Sequence, residues 1–336
     1  MGVKAMRPTR QAVILPICVF LINLSACGFA FPAVEGRFER TLNVAGPLDL
    51  EVTTGSGKIG VRAGNSSVVR IVGLIRANDD WRSKAEDKVR YLESNPPIEQ
   101  IGNTIRIGRI ENAAYRNNVS ISYEIVVPPA TQVRSTTGSG SQEIEGVHGP
   151  VEAGTGSGSL SMYNIGDHVS AHTGSGHIEL DRIAGEVEAR TGSGSIRAGQ
   201  IAGSMRATTG SGSIRVEQTA AEAGGARDVD LHTGSGRIEV SGVNGSLRAV
   251  TGSGGITASG TPGADWELDA SSGSVTLHLP PTASFDLIAR SSSGRITVNH
   301  PVTVTGSLGR HEMRGKVRGG GPMIDVHTGS GGITIQ

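Results

Sequence analysis

The sequence has 336 residues, of which 36% are hydrophobic and 3% aromatic, with 50 glycines and equal numbers, 31 each, of basic and acidic residues. This hydrophobic content is in the globular range, so the composition argues against an intrinsically disordered chain. The zero formal net charge removes the electrostatic basis for nucleic-acid binding, which requires a basic excess to neutralise phosphates.

The N-terminus has the charge pattern of an export signal. Lys4, Arg7 and Arg10 precede an apolar stretch over residues 12–24, which is typical of a secretory signal peptide. The stretch is shorter than the roughly 20 residues that a transmembrane helix needs, and a retained N-terminal membrane anchor is kept as an alternative.

A lipid-attachment motif follows the apolar stretch. The segment Leu24-Ser25-Ala26-Cys27-Gly28 resembles the bacterial lipobox, whose cysteine receives diacylglycerol and becomes the new N-terminus after cleavage. We therefore predict a signal peptide with lipobox over residues 1–27 and lipid attachment at Cys27. The alternative is an ordinary signal peptide that releases a secreted chain. Either route exports the protein, and the lipid anchor would hold it in the cell envelope, at the outer membrane or in the periplasm.

A short repeat dominates the rest of the chain. Four consecutive intervals of the repeat from Thr137 to Thr209 are 18 residues long, and a constant period of this kind indicates one coil of a solenoid. Degraded copies at Ala270 and Ser291 continue the pattern. The intact tetrapeptide Thr-Gly-Ser-Gly occurs at Thr54, Thr137, Thr155, Thr173, Thr191, Thr209, Thr233, Thr251 and Thr328.

Each repeat predicts two short strands. Residues 187–191 and 195–198 alternate apolar and polar residues on either side of the Gly-Ser-Gly bend, which is the period of a strand. We expect the glycines to supply backbone angles that other residues resist. Because each strand is too short to bury its apolar side alone, it must stack on the next coil at about 4.8 Å. The predicted fold is all-β, a single-stranded parallel β-helix (β-solenoid) with coils of about 18 residues.

The stacking predicts columns of equivalent residues. Val187 and Met205 belong to an inward column. An outward column lies three residues before each repeat threonine, where we expect lateral pairs of Glu188 with Arg206 and of Arg248 with both acidic neighbours. The members of this column are Glu152, Ser170, Glu188, Arg206, Asp230, Arg248 and Glu267.

The chain outside the regular repeats predicts two ends. Residues 28–135 are interpreted as a small N-terminal β cap that contains the first coil and one inserted amphipathic helix at about residues 79–93. Residues 136–336 form the solenoid, and we expect the last coil, from Thr328 to Ile335, to close its C-terminal end. The predicted apolar stripe of the helix comprises Trp81, Ala85, Val89 and Leu92.

These features together carry a family resemblance. The segment from Tyr123 to Pro128, which leads into Thr137–Gly140 and serial Thr-Gly-Ser-Gly-x-Ile coils, resembles the bacterial β-strand-repeat family of putative adhesins of unknown function. Residues 315–321 and 328–331 are similar to the C-terminal end of that family. The resemblance covers residues 38–336. It implies an exported or envelope β-solenoid and brings no catalytic residues.

No motif for catalysis or for a cofactor stands out. The repeats lack the pattern of a P-loop, of a G-x-S-x-G nucleophile elbow and of a calcium roll. His172, His232 and His327 share one column, but Arg190 and Thr208 separate the first two, whereas metal ligands must converge at about 2 Å. We predict no catalytic residue, no cofactor and no metal site.

The same column predicts a binding face. His172, Arg190, Thr208 and His232 would form a flat polar surface suited to a repetitive polymer. The sequence therefore favours a non-enzymatic, adhesin-like binding or scaffold protein, with the membrane as a partner through Cys27 and with a glycan or an envelope protein as ligand. A structural spacer is the first alternative. A polysaccharide lyase or hydrolase is the second, and it is disfavoured because the outward acids alternate with arginines instead of pairing.

Overall fold

The computed structural model describes residue 2 and residues 33–64, 67–81, 83–219, 227–304 and 309–336. Ala33–Gln336 forms one unit, in which two long sheets enclose a continuous apolar core. Strands of successive coils pair in parallel along both sheets. The predicted all-β solenoid fold is confirmed.

The elements are given in chain order. The helical elements of the described residues are α1 (Ala85–Ser94) and a 3-10 turn (Ala113–Tyr115). The strands are β1 (Val34–Asn43), β2 (Leu48–Thr54), β3 (Ile59–Ala63), β4 (Val68–Ala77), β5 (Ile98–Ile101), β6 (Thr104–Ile107), β7 (Val119–Val127), β8 (Thr131–Thr137), β9 (Gln142–Glu145), β10 (Val151–Thr155), β11 (Leu160–Ile165), β12 (Val169–Thr173), β13 (Ile178–Ile183), β14 (Val187–Thr191), β15 (Ile196–Ile201), β16 (Met205–Thr209), β17 (Ile214–Gln218), β18 (Val229–Ser235), β19 (Ile238–Val243), β20 (Leu247–Ser253), β21 (Ile256–Gly260), β22 (Trp266–Ser272), β23 (Val275–His278), β24 (Phe285–Ser291), β25 (Ile296–Val298), β26 (Val302–Val304), β27 (Glu312–Val317), β28 (Met323–Thr328) and β29 (Ile333–Ile335).

Each regular coil gives one strand to each sheet. Sheet A has the spatial order β1-β4-β7-β3-β9-β11-β13-β15-β17-β19-β21-β23-β29-β25, and sheet B has the order β26-β27-β24-β28-β22-β20-β18-β16-β14-β12-β10-β8-β2-β6-β5. Val187 lies opposite Met205 in sheet B, and Ile196 lies opposite Ile214 in sheet A. All four are at most 2% exposed. The predicted inward columns are therefore confirmed.

The repeat threonine points into the core and joins neighbouring coils through its hydroxyl. Thr191 is buried. Its Oγ1 donates a hydrogen bond to the carbonyl oxygen of Gly176 in the preceding coil at 2.9 Å and accepts one from the Gly194 N–H of its own bend at 3.1 Å. Thr155 and Thr173 make the same two bonds. The bond to the adjacent coil recurs at Thr209, Thr233, Thr251 and Thr328.

The second glycine of each repeat is required by close approach between coils. A Cβ atom on Gly194 would lie 1.8 Å from the Gly176 carbonyl oxygen, and one on Gly176 would lie 1.7 Å from that of Gly158. Gly176 and Gly194 do not have positive φ, whereas Gly254 in the equivalent position has φ 148°. The expectation that the bends need unusual backbone angles is therefore wrong for the first two glycines and holds for Gly254. Left-handed φ occurs at the opposite corner of the coil, for example at Asn164 and Arg182, both with φ 56°.

We expect Thr191→Val to lower the free energy of unfolding by about 1–3 kcal/mol, because the Gly176 carbonyl and the Gly194 N–H lose a buried partner. Urea denaturation followed by circular dichroism measures the change. Thr208→Val is the matched control, since Thr208 lies on the outer face, and we expect it to stay within about 0.5 kcal/mol of wild type. Equal losses in the two variants would contradict the hydroxyl bridge.

The N-terminal end of the stack is covered by antiparallel strands. β1, β4 and β7 extend sheet A, and the β5–β6 hairpin forms an edge of sheet B. Helix α1 packs on β1 and β4 and buries Ala85, Val89 and Leu92. An antiparallel edge paired in this way protects the open end of a parallel stack.

The helix begins at Ala85, six residues later than predicted. Asp79 Oδ1 accepts a hydrogen bond from the Ala85 N–H at 2.7 Å, and Asp80 Oδ1 accepts one from the Ser83 N–H at 2.8 Å. Side-chain acceptors that satisfy nearby backbone donors favour a loop over a helical turn. Trp81, which we predicted on the buried stripe of the helix, is consequently outside it and 84% exposed.

A buried lysine holds this loop against the cap. The Lys88 side chain is 0% exposed, and its ammonium group pairs with Asp80 Oδ2 at 2.9 Å. Lys88 Nζ also donates to the carbonyl oxygens of Asn78 at 2.7 Å and of Asn117 at 2.9 Å. Three acceptors satisfy the three donors of an ammonium group, so one side chain joins α1 to two loops.

Lys88→Met should therefore destabilise the protein by about 3–5 kcal/mol, because the buried carboxylate of Asp80 would lose its ammonium partner. Chemical denaturation gives the value, and hydrogen exchange of the loop that contains Asn78 should accelerate. The exposed neighbour Lys84 offers a control, and Lys84→Met should change stability by less than about 0.5 kcal/mol. A Lys88→Met protein as stable as wild type would refute this role.

The C-terminal coil lies inside the stack instead of closing it. Thr328 lies opposite Ala270 on one side and Ser291 on the other, so its spatial neighbours are 58 and 37 residues away in sequence (328−270 and 328−291). The prediction that the last coil closes the end is wrong, since β24, β25, β26 and β27 form that end. Ser291 Oγ donates to the Gly331 carbonyl oxygen at 2.9 Å, so a serine continues the hydroxyl bridge to the inserted coil.

Candidate functional site

The four residues of the predicted binding face lie in one column on sheet B. His172 is opposite Arg190, Arg190 opposite Thr208, and Thr208 opposite His232, on the consecutive strands β12, β14, β16 and β18. All four occupy outward positions and are half-buried or exposed. Neighbouring strands in a sheet are about 4.8 Å apart, so these side chains form a regular row, which we call the polar column. Its role in binding stays a prediction.

A shallow groove runs along part of the polar column. Its volume is ≈ 510 Å³, and its lining includes His172 and Arg190 but not Thr208 or His232. Gly154 contributes to the floor, and a Cβ atom at this position would meet no atom within 4 Å. The missing side chain leaves a notch between Thr136 and His172. The groove is thus produced by a gap in the column and continues as a flat face toward His232.

The imidazole of His172 has unused hydrogen-bonding capacity. Its Nε2 atom lies 3.4 Å from Ser170 Oγ, whereas its Nδ1 atom is buried and has no partner within the described part of the chain. Arg190 forms an ion pair with Glu188 on the same strand, which orients its guanidinium group. The groove lining contains no carboxylate, so its charged and polar groups are chiefly hydrogen-bond donors or imidazole nitrogens.

The adjoining charged column follows the predicted register but not all the predicted pairs. Arg206 pairs with Asp230 at 3.2 Å and Arg248 pairs with Glu267 at 2.7 Å. Glu188 pairs with Arg190, two positions along the same strand and on the same face, instead of with Arg206, which is engaged by Asp230. The expectation for Arg248 is confirmed for Glu267 only. These pairs are solvent-exposed, so each contributes at most about 1 kcal/mol.

A second concavity lies on the outer face of sheet A. Its volume is ≈ 430 Å³, and its lining includes Arg197, Arg215, Arg237 and Glu239. Arg215 Nε donates to Glu239 Oε2 at 2.7 Å, and this hydrogen bond lowers the pKa of the Glu239 carboxyl below its ordinary value. Sequence reasoning missed this cluster. The signal was present, because each of these positions follows or precedes the aliphatic residue after a glycine bend at the repeat interval.

The cap contains a third concavity, which sequence reasoning also missed. It has a volume of ≈ 760 Å³ and lies between the C-terminal end of α1, the β5–β6 hairpin and residues 108–111. Arg106 on its wall pairs with Glu51 at 3.2 Å, and Tyr91 stacks near Tyr115 with ring centroids 4.5 Å apart. Charges of both signs line this cavity. Glu51 and Thr53 in its lining come from β2 of the first repeat, and the packing of the inserted elements beside this strand creates the cavity.

Within the ranges that the structure describes, no group of three or more His, Cys, Asp and Glu residues could hold a metal ion. No helix among those residues combines the length and the apolar character needed to cross a bilayer. Cys27 and, apart from residue 2, the predicted signal peptide over residues 1–27 lie outside the described residues.

Comparisons with known proteins give one family and several solved structures. The family model described as Toastrack DUF4097 matches residues 167–336. A putative cell adhesion protein from Clostridium sporogenes ATCC 15579 is similar at 11% identity and a TM-score of 0.21, over 90% of this chain and 99% of that one. A putative adhesin from Bacteroides fragilis NCTC 9343 is similar at 11% identity and a TM-score of 0.29, over 89% and 97%.

A putative lipid binding protein from Parabacteroides distasonis ATCC 8503 is similar at 13% identity and a TM-score of 0.36, over 90% of this chain and 97% of that one. No curated protein sequence matches the chain.

Proposed function

The chain belongs to the Toastrack DUF4097 family, which agrees with the resemblance that its repeats carry, and we propose that it is an exported, lipid-anchored envelope protein that binds a ligand without catalysing a reaction. The observation that carries the binding part is the groove on sheet B, in which His172, Arg190 and the Gly154 notch form an in-register polar surface. The ligand we propose is a repetitive polar polymer, namely a glycan.

The chemistry of the groove supports a glycan. The Arg190 guanidinium group, the His172 imidazole and the exposed Thr136 hydroxyl can bond to the hydroxyl and carboxylate groups of sugars. These groups sit on strands whose positions are set by the coils above and below. A rigid surface loses little conformational entropy on binding. The groove is open along the stack, so a polymer longer than the groove can continue over Thr208 and His232.

The composition of the groove supports binding over polysaccharide cleavage. Glycoside hydrolysis generally uses two carboxyl groups that flank the scissile bond, and the groove lining contains none. Glu188, which lies two residues before Arg190 on β14, is engaged by Arg190. A lone imidazole provides one proton acceptor, which leaves the acid half of an acid–base pair unfilled.

Anchoring is proposed from the lipobox at Leu24–Cys27. Several acyl chains on one N-terminus hold a protein on a membrane far more firmly than one chain does. Five residues separate Cys27 from Ala33, the first residue of the described unit. A tether this short would keep the solenoid next to the membrane.

The binding proposal predicts the behaviour of a triple variant. Replacement of His172, Arg190 and His232 by alanine should weaken binding to glycans at least about tenfold, because each lost charge-assisted hydrogen bond is worth about 1.5–3 kcal/mol. Binding of the detergent-solubilised full chain to a glycan array and to isolated peptidoglycan sacculi measures the effect. Circular dichroism should show that the variant remains folded.

A matched triple variant on the opposite sheet serves as the control. His177, Arg197 and His278 are exposed on sheet A, and their replacement by alanine changes the same residue types without touching the groove. Binding should be retained in this control. Equal glycan binding by the two triple variants would contradict the proposal. It would favour the spacer alternative, for which deletion of one whole coil, residues 247–265, should be tolerated in cells.

The anchoring proposal predicts covalent labelling at one cysteine. Cells that express the full chain with radiolabelled palmitate should incorporate label into wild type and into Cys18→Ala, because Cys18 leaves with the signal peptide. Cys27→Ala should carry no label and should leave the membrane fraction, because it lacks the acceptor thiol. Label in Cys27→Ala, or none in wild type, would contradict lipid attachment at Cys27.

A further inference from the structure

The two tryptophans of the chain have opposite environments. Trp266 is 1% exposed, and its Nε1 donates a hydrogen bond to the Gly245 carbonyl oxygen at 3.0 Å. Trp81 is 84% exposed on the loop between β4 and α1. An indole is a large apolar group with a polar N–H, and such side chains favour surfaces where one part is apolar and the other is wet. Trp81 thus presents an indole of this kind at the protein surface.

Trp81 lies at the end of the cap where the N-terminal segment enters the fold. Val34, the first residue of β1, pairs with Ala77, the last residue of β4. Four further residues lead to Trp81, which limits its Cα to about 14 Å from that of Ala77. The chain from Cys27 to Val34 spans at most about 25 Å. A lipid on Cys27 would thus keep this end of the cap close to the bilayer.

The loop that carries Trp81 is held by the protein on both sides. The Asn78 N–H donates to the Asn118 carbonyl oxygen at 3.0 Å, and Ser83 Oγ donates to the Ala114 carbonyl oxygen at 3.0 Å. The buried Lys88 adds bonds to both loops. The indole is thus presented from a supported position, and little order has to be created when it meets a partner.

The charges beside Trp81 are compatible with a lipid surface. Asp79 accepts a hydrogen bond from the start of α1, and Asp80 is paired with Lys88. Both carboxylates of the loop are therefore engaged by protein groups. Lys84 and Arg116 are exposed on the two loops, and Glu86 and Asp87 are exposed in the first turn of α1, where Asp87 pairs with Arg90. The charges around Trp81 are therefore mixed in sign, and the indole itself carries the argument for a membrane contact.

We propose that Trp81 inserts into the headgroup region of the bilayer to which the Cys27 lipid tethers the protein. Tryptophan is the residue most typical of this depth. A lipid alone fixes distance but not orientation, whereas a lipid and an indole at the same end of the cap give two contacts. The coils would then project away from the membrane with the cap against it. This inference rests on the anchoring part of the proposed function.

The two tryptophans make the proposal testable by fluorescence. The acylated full chain is reconstituted into vesicles of phosphatidylcholine with phosphatidylglycerol, with and without brominated acyl chains. Brominated lipid should quench a large part of the emission, and vesicle binding should reduce quenching by acrylamide. In Trp81→Phe only the buried Trp266 remains as a fluorophore. Most of the quenching by brominated lipid should therefore disappear, while the protein stays bound to the vesicles.

Several outcomes would overturn the proposal. Vesicle-bound, acylated wild type whose emission is unaffected by brominated lipid would exclude insertion, although anchoring at Cys27 would stand. A blue shift that appears without lipid and grows with protein concentration would indicate that Trp81 contacts a second copy. Absence of palmitate label on Cys27 would instead be a failure of the anchoring proposal itself. Glycan binding by the polar column is measured independently of all three.

Discussion

The structure depends on one repeated contact, the hydrogen bond from a buried threonine hydroxyl to a glycine carbonyl in the adjacent coil. A strand of five or six residues cannot bury its apolar side alone, so each coil is ordered by its neighbours. The bend backbones approach so closely that a Cβ atom on the second glycine would overlap the neighbouring carbonyl. This close approach buries backbone carbonyl and N–H groups, which need hydrogen-bond partners. The threonine hydroxyl satisfies one carbonyl and one N–H at the same time. Glycine therefore allows the close approach of the coils, and threonine supplies the hydrogen bonds that this approach requires.

The threonine–glycine contact also determines how outward side chains are arranged on the surface. Because the bridge sets the register, each outward residue faces its counterpart in the next coil, and a property that varies slowly along the repeats becomes a face. His172, Arg190, Thr208 and His232 form one row in this way, and Arg197 and Arg215 form part of another on sheet A. Replacement of a single outward side chain by hydrogen, as at Gly154, is enough to make a groove. A solenoid of this kind can change its ligand without altering its core.

The two ends follow different rules from the coils between them. At the N-terminal end, an inserted helix and two loops are joined by the ammonium group of the buried Lys88, whose three donors each have an acceptor. This arrangement brings Trp81 to the surface beside the point where the chain enters the fold. At the other end, the last coil pairs on both sides with earlier segments. The ends therefore carry the contacts that are distant in sequence, which makes them the natural places for attachment and for closure.

The sequence by itself determined the solenoid, its parallel register, the inward columns and the row of polar residues, because all of these follow from the constant repeat interval of the sequence. It also located the repeat threonines, whereas their hydroxyl bridges and the overlap at Gly194 depend on how closely neighbouring coils approach. Lipid attachment at Cys27 stays a prediction. Only the tertiary structure decided the start of α1, the exposure of Trp81, the burial of Lys88 and the position of the Thr328 coil. Each of these depends on a partner that lies at no fixed interval, such as Asp79 for Ala85 or Ser291 for Gly331. Periodicity predicts contacts between equivalent residues of neighbouring coils. The caps and the inserted Thr328 coil depend on contacts between residues that are not equivalent, and the sequence period says nothing about these.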